Sequence, residues 1–326
     1  TLDRKDRRIL YALDINSRQP NSEIAKKVGL SKQVVGFRIR RLMEKGIISS
    51  FYTVIDISKL GYTAHKNFVR LQNVDNERLK EIIEYLRNHP QVIWLASCDG
   101  RFDLVFSLWA RNMAELDEYL TEINQKFGVY ISERELATII KGEYFIRDYI
   151  ISNKPSGLRK SFFGAVPQTA SLDSVDWRIL QELGKSSRFT AVEIAQAIKS
   201  SADIVRSRIR KLEQAGVIRH YNIVPNEAKY PFMHYKILMS FRNLSEERER
   251  SIIEYCRILP NVVYIVKALG PWEFEMDLEV ESPEKYRQIM MRLKTEFADI
   301  IKDYSALHLY QVHKYNFCPS IPSQES

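Results

Sequence analysis

Apolar residues in the first 58 positions recur at helical spacing in three short segments, which predict three helices. Asp3, Asn21 and Ser31 stand where these helices would begin and can cap their first backbone N–H groups. Gly46 ends the third helix, and the aromatic and β-branched stretch 47–57 predicts a strand that serves as a wing. The apolar faces consist of Ile9, Leu10 and Leu13, of Ile24, Ala25 and Val28, and of Val35, Ile39 and Leu42. This order of elements predicts a winged helix-turn-helix over residues 1–58.

After residue 58 the pattern changes to strands that alternate with helices. The segment Asp99-Gly100-Arg101 indicates a tight hairpin turn in the middle of this region. Strands are predicted at 64–71, 91–97, 102–110 and 136–145, with helices at 76–88 and 113–127. The order strand, helix, strand, strand, helix, strand predicts a ferredoxin-like βαββαβ domain.

The whole pattern occurs twice, with an offset of 170 residues and no gap, so that the Ile-Ile-Glu-Tyr of 82–85 returns at 252–255. A period this long indicates duplication of a large unit rather than a short solenoid repeat. The predicted fold class is α+β, with two copies of a winged helix-turn-helix followed by a ferredoxin-like domain. Phe162 and Phe163 are unusual for a linker and indicate that part of it docks. The predicted domains are winged helix-turn-helices at 1–58 and 171–228, ferredoxin-like domains at 59–147 and 229–317, a linker at 148–170 and a disordered tail at 318–326.

The net charge of +8 is concentrated in the first winged helix-turn-helix. Residues 1–58 hold twelve Lys and Arg against six Asp and Glu, whereas the matching stretch 171–228 holds nine against seven. Both ferredoxin-like stretches are close to neutral. A basic module beside neutral ones indicates a polyanionic partner such as DNA, although a basic solvated face explains the charge alone equally well.

The third helix carries the candidate DNA contacts on the face opposite its apolar residues. Gln33, Phe37 and Arg40 project from this face, and Gln and Arg suit bidentate hydrogen bonds to adenine and guanine edges in the major groove. Arg41, Lys32 and the wing are better placed for phosphates, which orient a protein on DNA without specifying sequence. The alternative is a solvated amphipathic helix in a domain that does not bind DNA. The candidate DNA-binding residues are Ser31, Lys32, Gln33, Gly36, Phe37, Arg40 and Arg41.

The third helix of the second copy is a weaker candidate. Asp203 replaces Gln33 on a surface where DNA phosphates would repel a carboxylate. The turn Gly29-Leu30 has become Lys199-Ser200, which lacks the residue best suited to a tight turn with positive φ. We therefore expect the second copy to bind DNA weakly or to serve as a pairing surface. Its candidate DNA contacts are Arg206, Ser207, Arg210 and Lys211.

Several motifs of the first copy together resemble those of the Lrp/AsnC family of feast/famine regulators. They are Leu2-Asp3-x-x-Asp6-x-x-Ile9-Leu10, Glu23-Ile24-Ala25, Gly29-Leu30-Ser31, Val35-x-x-Arg38-Ile39-x-Arg41-Leu42 and Gly46-Ile47-Ile48. In that family one such unit is a whole subunit, and two units dimerise through their ferredoxin-like sheets. The resemblance implies a covalent version of this dimer that acts as a sequence-specific transcriptional regulator on double-stranded DNA and not as an enzyme.

The resemblance also implies a site for a small effector, often an amino acid, near the turn Gly100-x-Phe102-Asp103. Gly100, Phe102 and Asp103 are therefore the effector-binding candidates, although Gly100 is equally explained as a hairpin glycine. The corresponding turn of the second copy has a stiffening Pro271 and a Trp that can fill the space of an effector. Its weaker candidates are Gly270, Trp272 and Glu273.

Three scattered cysteines, Cys98, Cys256 and Cys318, form no metal-binding motif, and we expect no metal and no cofactor. The cysteine content, the lack of an apolar run near 18 residues and the lack of a signal segment predict a reduced, cytoplasmic compartment and no membrane partner. Two chains are expected to associate into a homodimer, because palindromic DNA sites favour twofold symmetry.

Two other classes of function compete with the regulator. Sirohaem decarboxylases are similar to Lrp/AsnC proteins in domain layout and work as pairs of related units, so the chain could be such an enzyme with both units fused. Against this, no nucleophile elbow, P-loop or dinucleotide fingerprint occurs. No histidine is matched between the copies, including His65, His89, His220, His308 and His313. The second alternative is an oligomerisation or corepressor scaffold that does not itself bind DNA.

Overall fold

The computed structural model describes residues 2–152, 154–157, 161–164, 169–226 and 228–318. These residues form two compact units, and each unit contains parts of both copies. The first unit comprises the described residues of Thr1–Tyr62, Val166–Asn226 and Tyr315–Ser326, and the second comprises those of Thr63–Ala165 and Glu227–Lys314. The predicted tail after Cys318 lies outside the described residues.

Helices and strands follow the predicted order, and those of the second copy repeat the first at an offset of 170 residues to within one residue. The helices are α1 (Arg4–Ile15), α2 (Asn21–Val28), α3 (Lys32–Glu44), α4 (Asn76–Asn88), α5 (Met113–Phe127), α6 (Ser174–Lys185), α7 (Ala191–Ile198), α8 (Ala202–Gln214), α9 (Glu246–Ile258) and α10 (Pro283–Glu296). The strands are β1 (Ile48–Ile55), β2 (Thr63–Leu71), β3 (Val92–Asp99), β4 (Leu104–Ala110), β5 (Ile131–Tyr144), β6 (Ser161–Gly164), β7 (Ile218–Pro225), β8 (Met233–Phe241), β9 (Val262–Leu269), β10 (Phe274–Val280) and β11 (Ile301–Tyr315). The predicted α+β fold with its internal repeat is confirmed.

Capping explains where α1 begins but not where α2 begins. Asp3 accepts a hydrogen bond from the backbone N–H of Asp6 at 2.7 Å, and the Asp6 carboxylate accepts one from the N–H of Asp3. The predicted cap at Asn21 is wrong, because α2 starts at Asn21 itself, after Pro20, without a side-chain cap. The Asn21 amide oxygen instead accepts a hydrogen bond from Arg188 at 2.8 Å. The Asn21 side chain, which the local sequence predicts as a helix cap, therefore contacts the second copy instead.

The strand predicted as a wing pairs with its counterpart in the other copy. β1 and β7 form a two-stranded antiparallel sheet, with Phe51 opposite Ile223 and Tyr52 opposite Asn222. Residues 51–56 are all buried. Residues 51–56 therefore do not reach DNA, and the expected contact of this strand with phosphates stays a prediction for its exposed start at Ser49.

Reciprocal hydrogen bonds hold the two helix-turn-helix copies together inside the first unit. The Oγ atoms of Ser17 and Ser187 lie 2.6 Å apart, and both side chains are fully buried. Arg18 donates to the carbonyl of Ser187 at 2.7 Å, and Arg188 donates to the carbonyl of Ser17 at 2.6 Å. Because each contact is matched 170 positions away, the two copies are related by an approximate twofold axis.

We expect this unit to lose stability in mild acid through His220. Burial lowers the pKa of His220, although its Nε2 lies 3.0 Å from the carbonyl oxygen of Asp14. The folded chain therefore binds this proton less readily than the unfolded chain, in which the pKa is about 6.5. The contribution is present above about pH 6.5 and is lost as the pH falls towards the lowered folded pKa. The melting temperature should fall between pH 7.5 and pH 5, and less steeply in His220→Gln. An unchanged slope in the variant would contradict the assignment.

Eight strands of the second unit close into a ring. β5 pairs with β2 of its own copy and with β9 of the second copy, while β11 pairs with β8 and with β3. The order around the ring is β2-β4-β3-β11-β8-β10-β9-β5, and β5 returns to β2. Each copy thus contributes its last strand to the other, so the ferredoxin-like domains pair within one chain. β6, from the segment predicted as linker, adds to β5 with Phe163 opposite Gly142.

Helices cover the outside of the ring, and buried charges lie on its enclosed side. Alternate residues of β10 pack against the helices, and the residues between them, including Glu275 and Asp277, face the opposite way and are also buried. Lys236 Nζ lies 2.6 Å from Asp277, and Lys66 Nζ lies 2.5 Å from Glu275. We call these four residues the interior charge cluster. The two lysines are equivalent positions of the two copies, whereas both carboxylates come from the second.

Candidate nucleic-acid interface

The exposed face of α3 brings together the three residues predicted to face DNA bases. The helix begins after Ser31, whose Oγ accepts a hydrogen bond from the N–H of Val34 at 3.2 Å. Gln33, Phe37 and Arg40 are exposed, and 57% of the Phe37 surface is accessible. An exposed aromatic ring between two hydrogen-bonding side chains suits a major-groove surface, where a thymine methyl group lies beside donors and acceptors.

Two arginines on the other side of α3 attach it to α1. Arg38 lies 2.6 Å from Asp3 and 2.8 Å from Asp6, and Arg41 lies 2.9 Å from Asp6. The hydrogen bond from Arg38 lowers the pKa of Asp3, and Asp6 itself is buried. Arg41 is thus held by Asp6, and its contact with a DNA phosphate stays a prediction. These ion pairs set the angle at which α3 presents its exposed face.

The remaining candidates at the start of α3 have separate roles. Lys32 is exposed in the first turn, where a cation can meet a phosphate. Gly29 supplies the left-handed turn, with φ of 66°. A Cβ on Gly36 would lie 3.2 Å from the amide nitrogen of Asn21. The glycine at position 36 therefore allows close packing of α2 against α3.

The second copy keeps the helix geometry but changes the exposed side chains of α8. Lys199 adopts the left-handed conformation of Gly29, with φ of 55°, so the turn survives the loss of glycine. The Asp203 side chain is 93% exposed and forms an ion pair with Arg206. The other candidates are also exposed: Ser207, Arg210 and Lys211.

The turn predicted to bind an effector is occupied by contacts within the protein. Asp103 accepts a hydrogen bond from the N–H of Leu71 at 2.7 Å. Phe102 is buried, with its ring centroid 5.7 Å from that of Phe68. Gly100 has φ of 130°, and a Cβ there would lie 3.0 Å from the carbonyl oxygen of a β11 residue. The geometry explains this glycine as a hairpin residue that lies close to the other copy.

The matching turn of the second copy has parallel contacts. Glu273 accepts a hydrogen bond from the N–H of Phe241 at 3.0 Å. Trp272 is buried, edge-on to Phe68 at 4.7 Å between ring centroids, and its Nε1 lies 3.3 Å from Glu275. Trp272 therefore fills the space between the copies, and Gly270 approaches the backbone of β5.

Sequence reasoning did not single out His234, which lines a cleft of about 340 Å³ in the second unit. Tyr230 and His308 also line this cleft, and the Nε2 of His234 lies 3.6 Å from Asp277. Acidic residues at alternate positions of an otherwise apolar strand, 275 to 279, were the signal for a buried polar face.

The fold and the exposed face of α3 define a winged helix-turn-helix protein with a paired ferredoxin-like domain, and comparison with known proteins agrees. A family model described as winged helix-turn-helix DNA-binding matches residues 2–49, and the AsnC-type helix-turn-helix domain matches 172–213. The Lrp/AsnC ligand binding domain matches 68–133.

Individual relatives give the same classification. The HTH-type transcriptional regulator AldR of Mycolicibacterium smegmatis is 35% identical over 122 residues, which cover 37% of this chain and 71% of that protein. The HTH-type transcriptional regulator LrpA of Pyrococcus horikoshii is 34% identical over 122 residues, which cover 37% of this chain and 84% of that protein. The chain belongs to the Lrp/AsnC family of transcriptional regulators.

A solved structure matches almost the whole chain. The siroheme decarboxylase NirDL has a TM-score of 0.60 and 16% identity, with 97% of this chain and 94% of that chain covered. At this identity the likeness shows the shared two-unit fold alone. Within the described residues, no helix combines the length and apolar character needed to cross a membrane.

Proposed function

We propose that this chain is a sequence-specific DNA-binding transcriptional regulator whose main recognition helix is α3. The observation that carries the proposal is the exposed row of Gln33, Phe37 and Arg40 on a helix fixed by ion pairs to α1. The concentration of positive charge in residues 1–58 supports an anionic partner on the same domain.

The first test is selection of bound fragments from a random DNA library, followed by affinity measurements against salt. A recovered motif should bind on the order of 10³-fold tighter than a scrambled duplex at physiological salt. Its affinity should fall steeply with salt, because phosphate contacts release counterions. Equal affinity for motif and scrambled DNA would reject sequence-specific recognition.

An Arg40→Ala variant should weaken binding to the selected motif by about 1–3 kcal/mol and relax preference at one base pair, because Arg40 is placed to hydrogen-bond a base edge. Fluorescence anisotropy with the motif and with single-base variants of it measures both effects.

Two further substitutions serve as controls for Arg40→Ala. Lys32→Ala should weaken binding to all sequences alike and reduce the salt slope by about 1, as expected for a phosphate contact. Lys80→Ala removes an exposed lysine of α4 in the other unit and should leave affinity unchanged. Wild-type affinity and preference in Arg40→Ala would show that α3 does not enter the major groove.

Responsiveness to a small effector at Gly100, Phe102 and Asp103 stays a prediction. Asp103 and Phe102 already bond and pack within the protein, so an effector there has to bind over the turn rather than replace these contacts. Calorimetric titration with each amino acid tests this prediction, and Asp103→Asn is not a clean probe because it also perturbs the turn.

A fused siroheme decarboxylase-like enzyme is the second candidate. The whole-chain likeness to NirDL and the cleft beside His234 and His308 are the observations that favour it. Absorbance titration with an iron porphyrin tests this function directly. A saturable spectral shift that His234→Ala abolishes would favour the enzyme, and no shift at micromolar protein would exclude this candidate.

A further inference from the structure

The two recognition helices of one chain, α3 and α8, belong to the same compact unit. Both lie in the first unit, in which β1 pairs with β7 and buried contacts join the copies around Ser17 and Ser187. The Oγ of Thr53 donates to the carbonyl of Leu183 at 2.8 Å, and Arg219 lies 2.8 Å from the buried Asp56. A single chain therefore already contains a twofold-related pair of helix-turn-helix domains.

The two helices of this pair differ at the positions that face solvent. Arg40 and Arg210 are equivalent and both exposed, so one arginine is common to the two surfaces. The differing pairs include Lys32 and Ala202, Gln33 and Asp203, Gly36 and Arg206, and Phe37 and Ser207. All of these changes lie on the exposed or partly exposed side, whereas the core positions Val35 and Val205 are identical. The backbones of the two helix-turn-helix copies are therefore related by an approximate twofold axis, whereas the exposed side chains of α3 and α8 differ.

The differing side chains favour different base pairs. Gln33 suits adenine and Phe37 suits the thymine methyl group, so α3 favours A·T pairs beside the guanine that Arg40 can contact. On α8, Arg206 adds a second guanine contact, and Asp203 can accept a hydrogen bond from the amino group of cytosine. Ser207 places a small polar side chain where α3 has the aromatic ring. The α8 surface therefore favours G·C pairs.

We propose that one chain binds one asymmetric DNA site, in which α3 contacts an A·T-containing half-site and α8 contacts a G·C-rich half-site at a fixed spacing. This inference rests on the proposed DNA-binding function. It assigns the second copy a role in recognition, and it makes a second chain unnecessary for contact with two half-sites. The twofold symmetry argument for a homodimer does not apply when the two recognition surfaces differ.

The test combines library selection with two reciprocal variants. Asp203→Gln with Ser207→Phe gives α8 two of the exposed residues of α3, and Gln33→Asp with Phe37→Ser gives α3 two of those of α8. All four side chains are exposed, so both variants should unfold at the temperature of the wild-type chain. The wild type should select two unlike half-sites. In each variant, the half-site of the altered helix should change to that of the other helix at the base pairs contacted by the two exchanged residues, and the rest of the site should stay as in the wild type.

Spacing and stoichiometry complete the test. Five base pairs inserted between the half-sites turn one of them about half a helical turn away and should weaken binding at least tenfold. Ten inserted base pairs return both half-sites to the same side of the duplex but move them about one helical turn further apart, so they should also weaken binding. The mass of the complex should correspond to one chain per site.

The possible results separate the inference from the proposed function. Selection of no motif would reject sequence-specific DNA binding altogether. A motif with only one half-site, a palindrome selected by the wild type, two chains per site, or indifference to the five-base-pair insertion would each overturn the inference. DNA recognition by α3 would stand in all four of those cases.

Discussion

An Asp277→Asn variant should lose about 3–5 kcal/mol of unfolding free energy, because it leaves Lys236 inside the ring without its nearest anion. Lys236 is 2% exposed, and its other carboxylate neighbour, Glu275 at 3.6 Å, already pairs with Lys66. Two cations would then share the one carboxylate of Glu275, which is fully buried. The melting temperature of this unit should fall on the order of 10 °C.

Glu81→Gln provides the matched control for Asp277→Asn. Glu81 pairs with Arg78 on the exposed face of α4, where an ion pair contributes about 0–1 kcal/mol. Chemical denaturation of both variants measures the difference. Equal losses would show that the interior charge cluster is hydrated or rearranges freely.

The loss in Asp277→Asn should also depend on pH. Burial opposes ionisation of Asp277, but Lys236, His234 and Lys66 together more than offset it, so that the pKa lies below its usual range. A carboxylate with a lowered folded pKa contributes stability above the unfolded value of about 3.9, and this contribution is lost as the pH falls through the folded pKa. The difference in unfolding free energy between the wild type and Asp277→Asn should therefore become smaller in strong acid.

A Gly270→Ala variant should lose about 1–3 kcal/mol or more, because the added methyl group meets backbone rather than a movable side chain. A Cβ at this position would lie 2.5 Å from the carbonyl oxygen of Leu136 on β5. β5 joins the two copies in the ring, so it cannot retreat without disturbing its pairing with β2 or β9.

Alanine variants of two other glycines serve as comparisons for Gly270→Ala. Gly100→Ala should cost less, since its Cβ would lie 3.0 Å from the nearest backbone oxygen, and Gly157→Ala should cost nothing, since no atom lies within 4 Å. Thermal unfolding should rank the variants in that order. A Gly270→Ala chain as stable as Gly157→Ala would show that the approach of the turn to β5 is loose.

Element bounds were largely predictable from the sequence, and the reason is local. α4 and α5 occupy the residues that the apolar spacing indicated, because a helix buries one face at a period of 3.6 residues. Asp3 and Ser31 cap the helices predicted for them, because a cap needs only residues three or four positions away. The exposed face of α3 follows from the same periodicity.

Contacts between distant positions were not predictable in this way. Asn21 looked like a cap and contacts Arg188, and Arg41 looked like a phosphate contact and pairs with Asp6. The local pattern gives no sign of these partners, since each side chain suits both roles equally well. Only the packed chain shows which role is taken.

The sequence by itself determined the fold class, the duplication and the residues that α3 exposes, because these depend on short-range periodicity and on a repeat with a constant offset of 170 residues. Only the tertiary structure decided that β1 pairs with β7, that β5 and β11 bridge the two copies, and that an interior charge cluster lies inside the ring. The backbone groups of a strand edge can hydrogen-bond to any neighbouring strand, and a buried charge can pair with any nearby opposite charge, so packing decides which partners they have. The pairing partners of β1 and β7, of β5 on one edge and of Lys66 belong to the other copy, so no local pattern indicates them.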